Sequence, residues 1–289
     1  MTTHKSPAQS SVIITGLARN VARVIENEIG RLGKAFSGFK EVYFLVIESD
    51  SSDATCSKLE SIARTVPNFT YISLGSLSKD IPDRIDRIAY CRNFAQNRIV
   101  EFENSVDYVC VADLDGVNSL LTQESIESCW TRDDWDVCTA NQNGPYYDIY
   151  ALRAEMWCTG NAWDERMQMV GKGIHPQRAS KIAINSRQKV IPKDADWLSV
   201  DSAFGGLAIY TTKSFVSGKY SSRDSDGVTL CEHVPFHQSI QNTGGRIFIN
   251  PRMINSEGNA LSKFSKRLKY AFKYAFSWAF PKLFLRWMG

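Results

Sequence analysis

Asp107-Tyr-Val-Cys-Val-Ala-Asp-Leu-Asp-Gly116 is the stretch that decides the fold. Residues 108–112 read as a short apolar strand that runs straight into two aspartates one residue apart, Asp113 and Asp115. A buried strand ending in paired carboxylates puts two anions at the carboxyl edge of a sheet, where open α/β proteins bind their ligands. Carboxylates that close repel each other unless a cation sits between them. Mg²⁺ and Mn²⁺ meet that need, because they are usually held by one or two carboxylates plus phosphate oxygens. Taken alone, Asp-x-Asp reads equally well as a solvated turn, with Gly116 supplying the positive φ; the rest of the chain has to decide.

Working outward, residues 12–15 read as an apolar strand, followed by Gly16-Leu-Ala-Arg-Asn20 and a helical pattern over 21–32. Residues 42–47, Val-Tyr-Phe-Leu-Val-Ile, are almost wholly apolar, which suits a parallel sheet covered on both faces. They end in Glu48-Ser-Asp-Ser-Ser-Asp53, with a helix expected over 54–64, a third strand over 69–74 and a long helix over 84–102. A fifth strand is expected over 136–140. Strands alternating with helices predict βαβ units and a mostly parallel sheet. Beyond residue 140 the pattern loosens. A short strand is expected over 149–153, a flexible loop over 160–195, a strand with a glycine pair over 203–210 and a last strand over 246–250; the glycine pair permits close backbone approach.

At 289 residues, 43% hydrophobic and 22% charged, the chain is an ordinary globular protein long enough for a large core. No basic start followed by an apolar h-region suggests a signal peptide, and no run of about 18 apolar residues suggests a membrane span. The seven cysteines contain no Cys-x-x-Cys pair, which argues against structural zinc and fits a reducing cytoplasm. The net charge of +3 hides an asymmetry: residues 263–289 carry seven basic and no acidic side chains, leaving the body at −4. Residues 262–287 are also aromatic and recur apolar at helical spacing, the pattern of a basic amphipathic helix that lies in the interface of an anionic membrane. A helix packed on the core with a solvated basic face is the alternative, and the acidic body argues against nucleic acid.

The order of these motifs resembles that of GT-A-fold glycosyltransferases that use sugar nucleotides, over roughly residues 12–240. Asn143-Gly-Pro-Tyr-Tyr-Asp-Ile-Tyr-Ala-Leu-Arg153 resembles the mannosyltransferases of fungal capsule synthesis and related bacterial surface-polysaccharide transferases. The resemblance implies a GT-A domain over 11–255, with a nucleotide-sugar half (11–140) and an acceptor half (141–255), after a disordered 1–10 and before a membrane-associating tail over 256–289. It implies a UDP- or GDP-sugar donor, a glycan or lipid-linked glycan acceptor, a Mn²⁺ or Mg²⁺ cofactor and work at the cytoplasmic face of the inner membrane.

Site residues follow by position. Thr15, Gly16, Arg19 and Asn20 form a turn whose N–H groups suit anions. Glu48 and Asp50 suit a base or ribose, and Arg87, Arg92 and Asn93 match an Arg-x-x-x-x-Arg-Asn pattern on the nucleotide-sugar side, with Asp113 and Leu114. By the resemblance, Asp115 is the better metal ligand, Asp113 a ligand that also touches the sugar or ribose, and His237 the preferred late ligand ahead of His233. Taken separately, either histidine reads more readily as a satisfied structural one. Tyr147, Asp148, Arg153, Gly205 and Gly206 fall on the acceptor side. An inverting transferase needs a general base, for which Glu232 is the candidate with Asp201 behind it; a retaining enzyme needs none. Two other readings remain: a nucleotidyltransferase, for which Gly16-Leu-Ala-Arg-Asn20 is a poor phosphate loop, and a non-catalytic membrane-associated binding protein.

Overall fold

The computed structural model describes residues 4–101 and 105–257. Eight strands form one sheet: β1 (Ser11–Ala18), β2 (Glu41–Glu48), β3 (Phe69–Ser73), β4 (Tyr108–Ala112), β5 (Val137–Gln142), β6 (Leu198–Ser199), β7 (Leu207–Thr211) and β8 (Ile247–Ser256). Their spatial order is β3-β2-β1-β4-β7-β5-β8-β6. β1 pairs in parallel with β2 and β4, while β7 runs antiparallel between β4 and β5. β8 pairs in parallel with β5 and carries the two-residue β6 on its outer side. The expected GT-A-type α/β sheet is the one observed. Since β7 inserts between β4 and β5, the two sequence halves share one sheet.

Alternate residues of β1 feed opposite faces: Val12 and Ile14 enter one core, Ile13 the other. That two-sided burial is why the strands read as continuous apolar runs. Helix α1 (Ile25–Ala35) buries Ile25, Ile29 and Leu32, one stripe at 3.6-residue spacing. Each such side chain contributes about 1.5–3 kcal/mol of transfer free energy. Helix α2 (Thr55–Thr65) covers the same face, contributing Leu59 and Ile62. Helix α3 (Arg84–Val100) starts at Asp83, whose carboxylate accepts the N–H groups of Ile85 and Asp86. The short α4 (Gln123–Glu127) follows β4 under a capping box from Thr122.

Beyond β5 the structure departs from expectation. Residues 160–195 hold two helices, α5 (Ala162–Gly171) and α6 (Pro176–Ala183), rather than a flexible loop. Asn161 and His175 cap their N-termini, and alanines at 162, 179 and 183 let them pack closely. Residues 149–153 form a turn rather than a strand; only Arg153 makes a bridge, to Ser202. α7 (Thr212–Ser217) and α8 (His233–Gln241) follow. Residues 4–10, expected to be disordered, are held: Pro7–Gln9 forms a 3₁₀ turn and the His4 ring bonds the Trp135 carbonyl at 2.7 Å. The basic aromatic segment over 262–287 lies outside the described residues.

Candidate active site

The site grows from the end of β4. Asp113 N–H bonds the Gly206 carbonyl at 2.9 Å, and Asn118 Nδ2 bonds the Asp113 carbonyl at 2.9 Å. Asn118 Nδ2 also donates to buried Glu28 Oε1 of α1 at 2.7 Å, while its Oδ1 accepts from Asn255 Nδ2 at 2.9 Å. Asn255 and Gln142 both donate to the Gly205 carbonyl, at 2.8 and 3.2 Å. This dry polar network ties α1, β5 and β8 to the turn that carries the two aspartates. Gly206 sits at φ +89, and a Cβ there would lie 2.7 Å from the Tyr147 hydroxyl, so only glycine fits. Gly16 plays a related part at β1: a Cβ would strike the Ala112 carbonyl and come within 2.7 Å of Leu114.

Asp113 and Asp115 open into a cleft of about 370 Å³, within the range of small-molecule sites. Its acidic end is formed by Asp113, Asp115, Asp148 and Glu232 around Arg92. Arg92 Nε donates to Glu232 Oε1 at 2.8 Å, and its Nη2 lies 3.6 Å from Asp113 Oδ1. The guanidinium is 5.4 Å from the Phe204 ring centre and 5.8 Å from that of Tyr220, close enough for cation–π attraction. Burial opposes its charge, but Glu232, Tyr220 and Asp113 outweigh that and raise its pKa. Asp113 is pushed up to about 8, first by burial and then by Asp115, Asp148 and Glu232, with Arg92 pulling the other way. Asp148 is raised by burial too, although the N–H groups of Gly205 and Ala151 hold it at 3.0 and 3.3 Å. An acidic cluster that one guanidinium leaves under-neutralised is a site for a further cation.

The other end of the cleft is basic, lined by Arg19, Arg84 and Arg87, of which Arg19 and Arg87 flank Asp50. Asp50 sits at φ +58, and its Oδ1 accepts the Ser78 N–H at 2.8 Å. Its Oδ2 is buried without a hydrogen bond, the nearest cation being Arg87 Nε at 3.6 Å. Burial works against the Asp50 charge, but Ser78, Arg87 and Arg19 lower its pKa overall.

Of the residues singled out in the sequence, Arg19, Asp50, Arg87, Arg92, Asp113, Leu114, Asp115, Tyr147, Asp148 and Glu232 line this one cleft. Others stand elsewhere. His237 is fully buried with both ring nitrogens engaged, Nδ1 to Ser202 Oγ and Nε2 to Tyr210 Oη, each at 2.9 Å. Burial pushes its pKa down to about 3, so it is a neutral structural histidine and has no lone pair for a metal. His233, one turn earlier, does line the cleft. It stacks on Phe204 at 3.9 Å with both nitrogens unpartnered, and burial drives its pKa far down. Asp201 is exposed and bonds Gln241 at 3.3 Å, away from the acidic end. Asn93 clamps the Tyr220 backbone through two hydrogen bonds, 2.9 and 3.0 Å. The Arg153 guanidinium is spent on the carbonyls of Tyr150 and Leu152.

Glu48 caps its own turn, accepting Ser51 N–H at 3.0 Å and the Ser73 hydroxyl. Asn20 accepts Ser52 N–H at 2.8 Å in the neighbouring turn. Thr15 and Gly16 lie inside β1, and Gly205 and Gly206 shape the wall rather than face the cavity. Tyr150, Phe204 and the network residues Glu28, Asn118, Gln142 and Asn255 were not found by sequence reasoning. The partners of that network are scattered along the chain, so only the closed sheet brings them together.

No protein-family model matches the chain, and no curated protein sequence matches it. Among solved structures, it is similar to the mannosyltransferase PcManGT from Pyrobaculum calidifontis in complex with GDP-Man and Mn²⁺: 14% identity, 97% of this chain and 67% of that one, TM-score 0.52. S. aureus TarS in complex with UDP-GlcNAc matches at 12% identity over 83% of this chain and 55% of that one, TM-score 0.46. Glucosyl-3-phosphoglycerate synthase from Mycobacterium tuberculosis, in complex with uridine diphosphate, matches at 11% identity over 86% and 70%, TM-score 0.41. The first likeness is one of fold: the chain has the GT-A architecture.

Proposed function

We propose that this chain is a metal-dependent glycosyltransferase that moves a sugar from a nucleotide-sugar donor to a glycan or lipid-linked glycan acceptor in cell-surface polysaccharide synthesis, at the cytoplasmic face of a membrane. The observation that carries the reading is the two-ended cleft. Asp113, Asp115, Asp148 and Glu232 gather at one end, and Arg19, Arg84 and Arg87 at the other, on the carboxyl edge of a GT-A sheet. The fold neighbour PcManGT, a mannosyltransferase in complex with GDP-Man and Mn²⁺, supports it.

The donor set fits Mn²⁺ or Mg²⁺. Among the described residues no three His, Cys, Asp or Glu side chains converge on one point, so Asp113 and Asp115 would hold the ion with the donor's phosphate oxygens, as is usual for these metals. When bound, such an ion offsets charge on the departing nucleoside diphosphate. Asp50 and the arginines around it would take the nucleoside end. Arg92 orients Glu232 through the 2.8 Å ion pair, and Glu232 takes the acceptor hydroxyl proton in the inverting reading. That pairing engages the Glu232 carboxylate. Asp148, whose carboxyl is raised by burial, is therefore the second candidate.

A hydrolysis screen of UDP- and GDP-sugars with Mn²⁺ tests the reading. One donor turns over, the Asp115→Asn variant does not, and Glu232→Gln against Asp148→Asn separates the two bases once an acceptor is found. If no donor turns over and calorimetry finds no metal-dependent binding of nucleoside diphosphate, the proposal fails. Nucleotide triphosphate consumption with a sugar phosphate would instead favour a nucleotidyltransferase.

A further inference from the structure

The helical hairpin over residues 161–190 carries a partly exposed apolar stripe. On α5, Trp163, Met167 and Val170 stand at i, i+4 and i+7, one stripe of a helix. Trp163 and Met167 are 38% and 50% exposed, and Val170 is half-buried. The opposite side of α5 is the packed one: Ala162 is buried, Arg166 Nε bonds Ser180 Oγ of α6 at 2.7 Å, and Glu165 pairs with Arg187 at 2.8 Å. The stripe is therefore the outward face of an ordered hairpin.

Charge identifies the occupant. Residues 161–190 carry six basic and two acidic side chains, net +4. The rest of the chain up to residue 262 carries 21 basic and 29 acidic side chains, net −8. The hairpin is a basic island on an acidic body, and its exposed Trp163 and Met167, with half-buried Val170, add an apolar stripe. A protein partner or nucleic acid would be served by one of these features; an anionic lipid surface is served by both at once, phosphates by the cations and acyl chains by the stripe. The stripe is also continuous with the cleft. The Trp163 ring lies 4.9 Å from that of Tyr150, which lines the cavity. β8 ends at Ser256 beside the turn carrying Asp113 and Asp115, Leu120 N–H bonding the Asn255 carbonyl at 2.8 Å.

We propose that the α5–α6 hairpin docks on an anionic bilayer, independently of the C-terminal segment, and so turns the mouth of the cleft toward the membrane. The proposal stands without the transferase reading, because vesicle binding is measured with no donor present. The test is co-sedimentation of the full chain with vesicles of phosphatidylcholine, alone or mixed with phosphatidylglycerol. Wild type binds the mixed vesicles, and a variant with the seven basic residues of 263–289 changed to Gln still binds them, more weakly.

Trp163→Glu with Met167→Glu lowers partitioning about tenfold or more in either background, as expected for taking an interfacial Trp and Met out of the acyl boundary. Trp163→Phe binds like wild type but loses part of the fluorescence quenching by brominated lipid, a readout that does not depend on the charged variant folding. The proposal is overturned if the double variant, with unchanged circular dichroism, binds as wild type does. It is equally overturned if Trp163→Phe keeps all the quenching, or if the double variant only abolishes self-association.

Discussion

Replacing Arg92 with Met isolates the cation around which the acidic end of the cleft is built. The side chains of Arg92 and Glu232 are 8% and 7% exposed and 2.8 Å apart. Removing one partner of such a buried pair strands the other charge and costs about 3–5 kcal/mol. Asp113 adds little to this figure, since its side chain is 42% exposed and 3.6 Å away, where solvent screens the pair. Loss of the contacts to Phe204 and Tyr220 adds roughly 0.5–1 kcal/mol. At about 2 °C per kcal/mol for a domain of this size, the variant should melt about 7–12 °C below wild type. Adding Glu232→Gln should recover most of that loss, because the stranded carboxylate becomes a neutral amide. Urea unfolding of wild type, both single variants and the double variant gives the coupling energy directly. A coupling below about 1 kcal/mol, the range of exposed pairs, would refute the claim that Arg92 neutralises the acidic end.

The remaining predictions concern the cation, the misplaced candidates and the wall of the cleft. Asp115 is exposed, so Asp115→Asn should leave the melting temperature within about 1 °C while lowering Mn²⁺-dependent donor turnover by about 100-fold or more; a variant within twofold of wild type would contradict the site. Burial of part of its carboxyl and its acidic neighbours raise Asp113 toward about 8, although 42% of the side chain stays exposed, so cation binding displaces a proton from it. Mn²⁺ affinity should therefore rise with pH up to that value, with proton uptake by buffer visible in calorimetry across buffers of different ionisation enthalpy; a flat profile would count against it. Asp201→Ala should stay within about twofold of wild-type turnover, since the residue is exposed and away from the acidic end. Gly206→Ala should lose about 1–3 kcal/mol of stability from its φ of +89 and the approach to Tyr147, read by thermal melting with a Gly244→Ala variant as the strain-only control at φ +84 with open space around it.

How much of this was legible in the sequence depended on whether the signal was local. β1, β2 and β4 are buried on both faces, so they stand out as apolar runs, and the Asp-Leu-Asp turn follows one of them directly. The α5–α6 hairpin was missed because alanines form its inward face; small residues leave no apolar stripe on the packed side, and the visible stripe faces out. His233 and His237 lie one turn apart on α8, so spacing could not rank them. Their environments could: His237 is consumed by Ser202 and Tyr210, whereas His233 faces the cavity. Asp201 misled for the converse reason, being adjacent in sequence to the buried Ser202 while its own side chain is exposed.

The charge order along the cleft constrains how any diphosphate could enter it. Four carboxylates gather near Arg92 at the acidic end, while Arg19, Arg84 and Arg87 line the other, where Arg19 and Arg87 flank Asp50. An anionic ligand is drawn to the arginines and repelled by the carboxylates, so it can span the cleft only if the acidic end first gains positive charge or protons. The polar network beneath the turn prevents escape by relaxation. Asn118 and Gly206 hold both backbone groups of Asp113, and Glu28, buried and raised by desolvation, anchors Asn118 from α1. The Asp113 backbone is therefore fixed among its acidic neighbours. A bound cation relieves their repulsion, which by linkage makes cation and diphosphate affinity rise together. Asn118→Ala should loosen that hold, weakening the cation dependence of nucleotide binding without touching either ligand. Calorimetric titration of nucleoside diphosphate with and without Mn²⁺ reads the change, and equal coupling in variant and wild type would show that the network does not set it.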